Sequence, residues 1–146
     1  MKIYVGCAIK GLAEAEWVKM KDRIFTLRTT LRDRGHDVLD FRSDANRQAQ
    51  KGTVFTWDYK QCMDCDAMIA VTLSPSTGMG MEVAFCLTRR HPVTMKPNPA
   101  FVLAVAPRGN ETTPMITECN LPRFAYREFD RWEDVPSIFE KSYIPK

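Results

Sequence analysis

The sequence predicts an α/β fold, with a five-stranded parallel sheet covered by helices on both faces. Three observations carry this. Short apolar runs rich in β-branched residues alternate with longer segments of helical period, the pattern of strand–helix–strand units. Two glycine-bearing turns, "GCAIKG" and "SPSTGMG", follow the first and third of these runs. The chain has 146 residues, the size of one domain and enough to bury roughly 68–70% of its unfolded surface. Residues 1–146 are therefore read as a single domain.

Taken in order, "KIYVGCAI" at 2–9 is a buried strand broken by Gly11. Trp17, Met20, Ile24, Leu27 and Leu31 then form an apolar helical stripe that ends at Gly35. "HDVLDF" is a second short strand, and the polar, unpatterned residues 42–53 read as a surface loop. "VFTWDYKQCMDC" predicts a short helix before a strongly apolar third strand, "DAMIAVTL". "SPSTGMG" reads as a turn, with "MEVAFCLTRR" as the helix behind it. "AFVLAVA" is the fourth strand, and 107–122 a long loop with one helical turn. "RFAYREF" is the fifth strand, and a closing helix carries Pro136 as a kink or first-turn residue.

Composition narrows the function classes. Hydrophobic residues make up 45% and charged residues 27%, which is ordinary for a globular chain and excludes disordered or collagen-like classes. The net charge of +3 is small and "TRRH" is short, so nucleic acid is not an expected partner. No apolar run reaches the ~18 residues of a membrane span. Met1 leads straight into a strand, so no signal peptide is expected and the expected location is cytoplasmic. Five scattered cysteines do not form a disulfide framework. Cys62 and Cys65 make one CxxC without a second pair, which points to buried thiols rather than a metal site. No metal or cofactor is expected.

Parallel sheets bind ligands beyond the carboxyl ends of their strands, where strand order reverses. Both glycine turns fall at that edge. Gly78 and Gly80 allow close approach of a ligand to the backbone, and a helix N-terminus there offers unpaired N–H groups. Glu82 is expected in or near the first helical turn, where the dipole favours an ionised carboxylate fit to act as a nucleophile. The dipole alone also makes glutamate common at such positions. Ser76 and Thr77 supply hydroxyls for a phosphate or sugar. Glycoside-type chemistry needs a second carboxyl group. Asp58 is the candidate, with Asp64 (read as exposed) and Asp66 (opening the third strand) as rivals.

"IYVGCAIKG", "WDYKQCMDCDAMIAVTLSPSTGMGMEVAFCL", "FVLAVAP" and "TTPMITE" together resemble the nucleoside 2-deoxyribosyltransferase superfamily. The resemblance runs from about residue 2 to 142 and is nearest to the 2′-deoxynucleoside 5′-phosphate N-hydrolases and cytidylate N-glycosidases. Its most specific element is Ser/Asp-x-Gly-x-Gly-x-Glu, with an aspartate eight residues before the one that opens the strand. It implies a flavodoxin-like three-layer sandwich. It implies Glu82 as the nucleophile on C1′, Asp58 as the group assisting departure of the base, and Tyr4 beside the sugar. It also implies a homodimer whose neighbouring subunit completes the site.

Position 76 divides the family. Transferases acting on free nucleosides often carry aspartate six residues before the nucleophile, whereas Ser76 would donate a hydrogen bond to a phosphate. Lys10 stands where the monophosphate hydrolases carry arginine, and Thr113 where they carry a serine reaching across the dimer. Ala8 replaces a phosphate-contacting serine, and the 42–53 loop has no counterpart. The implied activity is hydrolysis of a nucleoside 5′-monophosphate to base and sugar 5-phosphate. Two alternatives stand beside it: a deoxyribosyltransferase that exchanges bases, and a non-catalytic nucleotide-binding module.

Overall fold

The computed structural model describes residues 1–7, 13–39, 53–143 and 145. Its elements run β1 (Lys2–Cys7), α1 (Glu14–Asp33), β2 (Asp37–Val38), α2 (Thr53–Asp64), β3 (Ala67–Val71), α3 (Thr77–Thr88), β4 (Phe101–Pro107), α4 (Pro114–Thr117), β5 (Phe124–Phe129), a 3-10 turn (Trp132–Asp134) and α5 (Val135–Ser142). All strand pairs are parallel, in the order β2-β1-β3-β4-β5. This is the flavodoxin-like arrangement. From β1 the chain goes out to β2, then returns to add β3 on the other side of β1. The reversal opens a crevice beyond the carboxyl ends of β1 and β3.

Strands β3 and β4 are buried along almost their whole length, as a sheet covered on both faces requires. Alternation sorts their side chains into two cores. Ile3, Val5, Ile69, Leu103 and Val105 face one layer, where Met20, Ile24, Leu27 and Leu31 of α1 and Phe139 of α5 cover them. Tyr4, Met68, Ala70, Val102 and Ala104 face the other, under α2 and α3. Each large aliphatic side chain so buried contributes roughly 1.5–3 kcal/mol. The predicted stripe of α1 is the buried one, apart from Trp17, which is only half-buried. That helix ends because Gly35 adopts φ +83° and its N–H closes on the carbonyl of Arg32.

Two boundaries differ from the sequence expectation. The second strand keeps only Asp37 and Val38 in its ladder. More consequentially, α3 begins at Thr77, inside what reads as a turn. Ser76 sits in the extended N-cap conformation and its hydroxyl accepts from the Met79 N–H at 3.3 Å. A capped start outweighs the poor helix propensity of two glycines.

The CxxC cysteines are buried, and Cys65 Sγ lies 3.9 Å from Cys86 Sγ beside Met68. No group that could hold a metal is found among the described residues. No described helix is long and apolar enough to cross a membrane.

Arg89, just past α3, ties this layer together. Its buried guanidinium donates through Nη1 to the carbonyls of Cys62, Met63 and Cys65, and through Nε to that of Asn98. The carbonyls of Cys62, Met63 and Cys65 close α2, where a helix end leaves acceptors unpaired. Arg89→Ala is expected to remove this charged donor, leaving Cys62 only weak thiol donors, and to cost roughly 3 kcal/mol in urea unfolding. A loss below about 1 kcal/mol would show that water replaces the guanidinium.

Candidate active site

Tyr4 stands on β1, a central strand of the sheet, facing α2 and α3, and is 1% exposed. A buried phenol requires a hydrogen-bond partner. Its O–H donates to Glu82 Oε2 at 2.8 Å. The carboxylate therefore lies at the carboxyl end of β1, beside the crevice. Glu82 is the sixth residue of α3, one turn further in than the sequence suggests. The reason is the early, Ser76-capped start of the helix. Its placement consequently owes less to the helix dipole, which fades beyond the first turn, and more to the phenol.

Asp58, half-buried on α2, joins this pair. Tyr4 is held well above the ordinary phenol value of 10, first by burial, then by the charges of Glu82 and Asp58 and by the hydrogen bond to Glu82. Both carboxylates thus act on one hydroxyl, which stays protonated and remains a donor throughout the neutral range. Cys7, at the end of β1, is pushed up to about 12 by burial, with Glu82 adding to the shift and Arg28 opposing it. It stays a neutral thiol, without nucleophilic character.

The rival aspartates are engaged elsewhere. Asp64 pairs with Lys2 Nζ at 3.0 Å on the surface. Asp66 Oδ2 accepts from the Lys2 N–H at 2.8 Å, pinning the start of β1. Both serve the opposite, amino-terminal edge of the sheet.

The remaining candidates lie on the other flank of α3. Ser76, Gly80 and Thr113 line a cleft of about 570 Å³ between α3 and residues 111–121. Its walls are mainly apolar, and Met115 at its rim is 86% exposed. Thr113 is the N-cap residue of α4, but its side chain makes no cap bond. Ser74 Oγ and Thr112 Oγ1, on the same cleft, are buried without a partner. Ser76 Oγ accepts from Met79, which leaves its O–H to donate. Gly78 adjoins the Ser76 hydroxyl. Neither Gly78 nor Gly80 has positive φ, and a Cβ on Gly80 would meet nothing within 4 Å. Lys10, Ala8 and most of the 42–53 loop lie outside the described residues.

The structure thus brings Tyr4, Asp58 and Glu82 into one acid cluster and Ser76, Gly80 and Thr113 into an adjoining cleft. Sequence reasoning missed the floor of the acid cluster. Gly6, Ala70 and Ala104 are register partners across β1, β3 and β4, a row of small residues beneath α3. Met68 and Met79 approach Gly6 closely from the sides. A glycine inside a strand was the available signal, since it often marks close approach.

No family model matches the chain, and no curated protein matches it either. Among solved structures it is similar to the CMP N-glycosidase BcmB of Clostridium botulinum, with a TM-score of 0.62 and 15% sequence identity. The alignment covers 97% of this chain and 99% of that one. Over nearly its whole length, the chain has the flavodoxin-like fold of a CMP N-glycosidase.

Proposed function

We propose that this protein hydrolyses the N-glycosidic bond of a nucleoside 5′-monophosphate, releasing free base and sugar 5-phosphate. The observation that carries this reading is the 2.8 Å hydrogen bond from Tyr4 to Glu82, at the switch point and within the field of Asp58. A positioned carboxylate beside a second carboxyl group is what stepwise glycoside cleavage requires. The fold shared with a CMP N-glycosidase and the sequence resemblance support the same class.

In the proposed reaction a carboxylate oxygen of Glu82 attacks C1′. The C1′–N bond breaks, and its electron pair leaves with the base nitrogen, which takes a proton from Asp58. Water then attacks C1′, gives its proton to the Asp58 carboxylate, and frees both Glu82 and the sugar 5-phosphate. Tyr4 holds the carboxylate in place through the first step. Incubation with purine and pyrimidine monophosphates and the matching nucleosides, followed by chromatography, tests the reaction. Free base and sugar phosphate are expected, and Glu82→Gln should lower the rate by about 10³-fold or more while nucleotide binding survives. Near-normal turnover by Glu82→Gln removes the nucleophile assignment. A new nucleoside in place of sugar phosphate identifies a transferase, and binding without any turnover identifies a nucleotide-binding module.

Asp58 protonates the departing base in this reading, because a basic nitrogen leaves poorly as an anion. Across a series of monophosphates, Asp58→Asn should slow those with basic leaving groups most and activated ones least. Equal losses throughout would assign Asp58 another role.

Ser76, Lys10 and the Gly78–Gly80 backbone are the proposed phosphate ligands, with Thr113, which lines the same cleft in one chain and which the resemblance assigns to a second copy. Support comes from the cleft, whose small glycine surface and apolar walls are open on the flank of α3 away from Glu82. Each helical glycine costs roughly 0.8–1.0 kcal/mol against alanine, and among the described residues a Cβ on Gly80 would meet nothing within 4 Å, which leaves room for an outside group there. Sedimentation showing only a 16.8 kDa species would remove the second copy. Ser76→Asp places a carboxylate against the phosphate. It should reduce kcat/KM for monophosphates by about 10-fold or more through like-charge repulsion, while sparing nucleosides. Equal effects on both substrates would place the phosphate elsewhere.

A further inference from the structure

Gly6 closes the buried run of β1, where a side chain would normally add packing. A strand glycine forfeits that packing and costs backbone entropy. Its φ is not positive, so the backbone does not demand glycine. The space above it is already occupied. A Cβ there would lie 2.8 Å from Glu82 Oε2, 2.9 Å from Met68 Cε and 3.2 Å from Met79 Cε. The carboxylate oxygen that accepts from Tyr4 is the atom this Cβ would approach most closely.

We propose that Gly6 is a positioning residue, whose missing side chain forms the niche that holds the Glu82 carboxylate against the Tyr4 hydroxyl. The three atoms a Cβ would meet are all ends of flexible side chains. The sheet can therefore accept a methyl group by letting those ends move. Of the three, Met68 and Met79 have apolar tips that can adopt other rotamers with little consequence. Glu82 cannot move without lengthening its hydrogen bond to Tyr4. The constraint at position 6 therefore falls on the geometry of the acid pair rather than on the stability of the sheet. Tyr4 and Gly6 point to the same face of β1, two residues apart, so one strand supplies both the donor and the space. The neighbouring Ala70 and Ala104 continue the shallow floor and keep α3 close to it.

The kinetic consequence rests on the proposed reaction, whereas the geometric one does not, and two measurements on Gly6→Ala separate them. The first is steady-state hydrolysis of the best monophosphate. A fall in kcat of about 10²-fold is expected, the scale of an ångström-sized misplacement, with nucleotide affinity within about threefold and an almost unchanged melting temperature. The second is the tyrosinate absorbance titration, taken as a difference from Tyr4→Phe in the same background. Tyr4 should titrate at lower pH in Gly6→Ala than in wild type, because the Glu82 charge and hydrogen bond that raise it have been moved away. If Gly6→Ala unfolds, the same pair of measurements on Gly6→Ala/Met68→Leu, which relieves the methyl contact, takes its place. An unchanged Tyr4 midpoint overturns the proposal, whatever the activity. A lowered midpoint with kcat within about threefold of wild type overturns the catalytic consequence. If the wild-type protein cleaves no nucleotide, the proposed function fails, and the Tyr4 midpoint alone decides the placement: lowered supports it, unchanged overturns it.

Discussion

A buried phenol that must find an acceptor organises this molecule. Tyr4 belongs to β1, which pairs with both β2 and β3, and its hydroxyl lies too deep for water to satisfy. Its acceptor is a side chain from α3, 78 residues later in the chain. One hydrogen bond therefore joins a central strand to the helix that crosses it, beside the packing of Met79, Val83 and Cys86 into the same layer. Losing the acceptor would leave the phenol unsatisfied, at a cost of roughly 1–3 kcal/mol. Because the acceptor is a carboxylate, the same contact that joins strand to helix also holds the group that the proposed reaction uses as nucleophile.

The rest of that layer follows from keeping α3 in place. Ser76 starts the helix where the crevice opens, and Arg89 closes its other end onto the carbonyls of α2. Asp58 is carried by the helix that Arg89 clamps. The two elements bearing carboxylates are thus tied to each other as well as to β1. On the outer flank, α4 has only four residues, and β5 is the edge strand of the sheet. A parallel sheet normally needs both faces covered. The short α4 leaves Phe124 and Tyr126 only partly buried and the adjoining cleft apolar, which is why a second copy is a physical expectation there as well as one drawn from resemblance.

Much of this was legible in the sequence, in proportion to how local the physics is. The runs around Ile3–Val5, Ala67–Val71 and Phe101–Ala106 are continuous because both faces of those strands are buried, so they stand out. The stripe of α1 and its Gly35 stop are equally local. The start of α3 was misplaced because glycine propensity and serine capping compete at one point, and composition does not say which wins. Asp58 and Glu82 were recognisable as a carboxylate pair, and Asp64 and Asp66 were set aside by position. Gly6 reads in the sequence as part of a glycine turn at the ligand edge, because its place in β1 has a non-local meaning: it depends on an oxygen from Glu82, 76 positions away in sequence.

The division of α3 into two flanks bears on the chemistry. A nucleophilic carboxylate and a phosphate dianion repel one another, and within ~4 Å at an effective dielectric near 20 that repulsion is several kcal/mol. Here the carboxylate is turned inward, toward β1, while the Ser76 hydroxyl and the open surface of Gly80 face the other side of the helix start. In the proposed reaction a sugar lying across the end of β3 presents C1′ to one flank and its 5′ oxygen to the other, which keeps the two charges apart. The phenol then has a second consequence. By directing Glu82 toward the sheet, Tyr4 keeps negative charge away from the helix N-terminus, where the dipole favours an anion and Ser76 already takes the Met79 N–H. In the proposed reaction the turn that opens α3 serves a negative substrate beside a negative carboxylate, because a neighbouring strand determines which way Glu82 points.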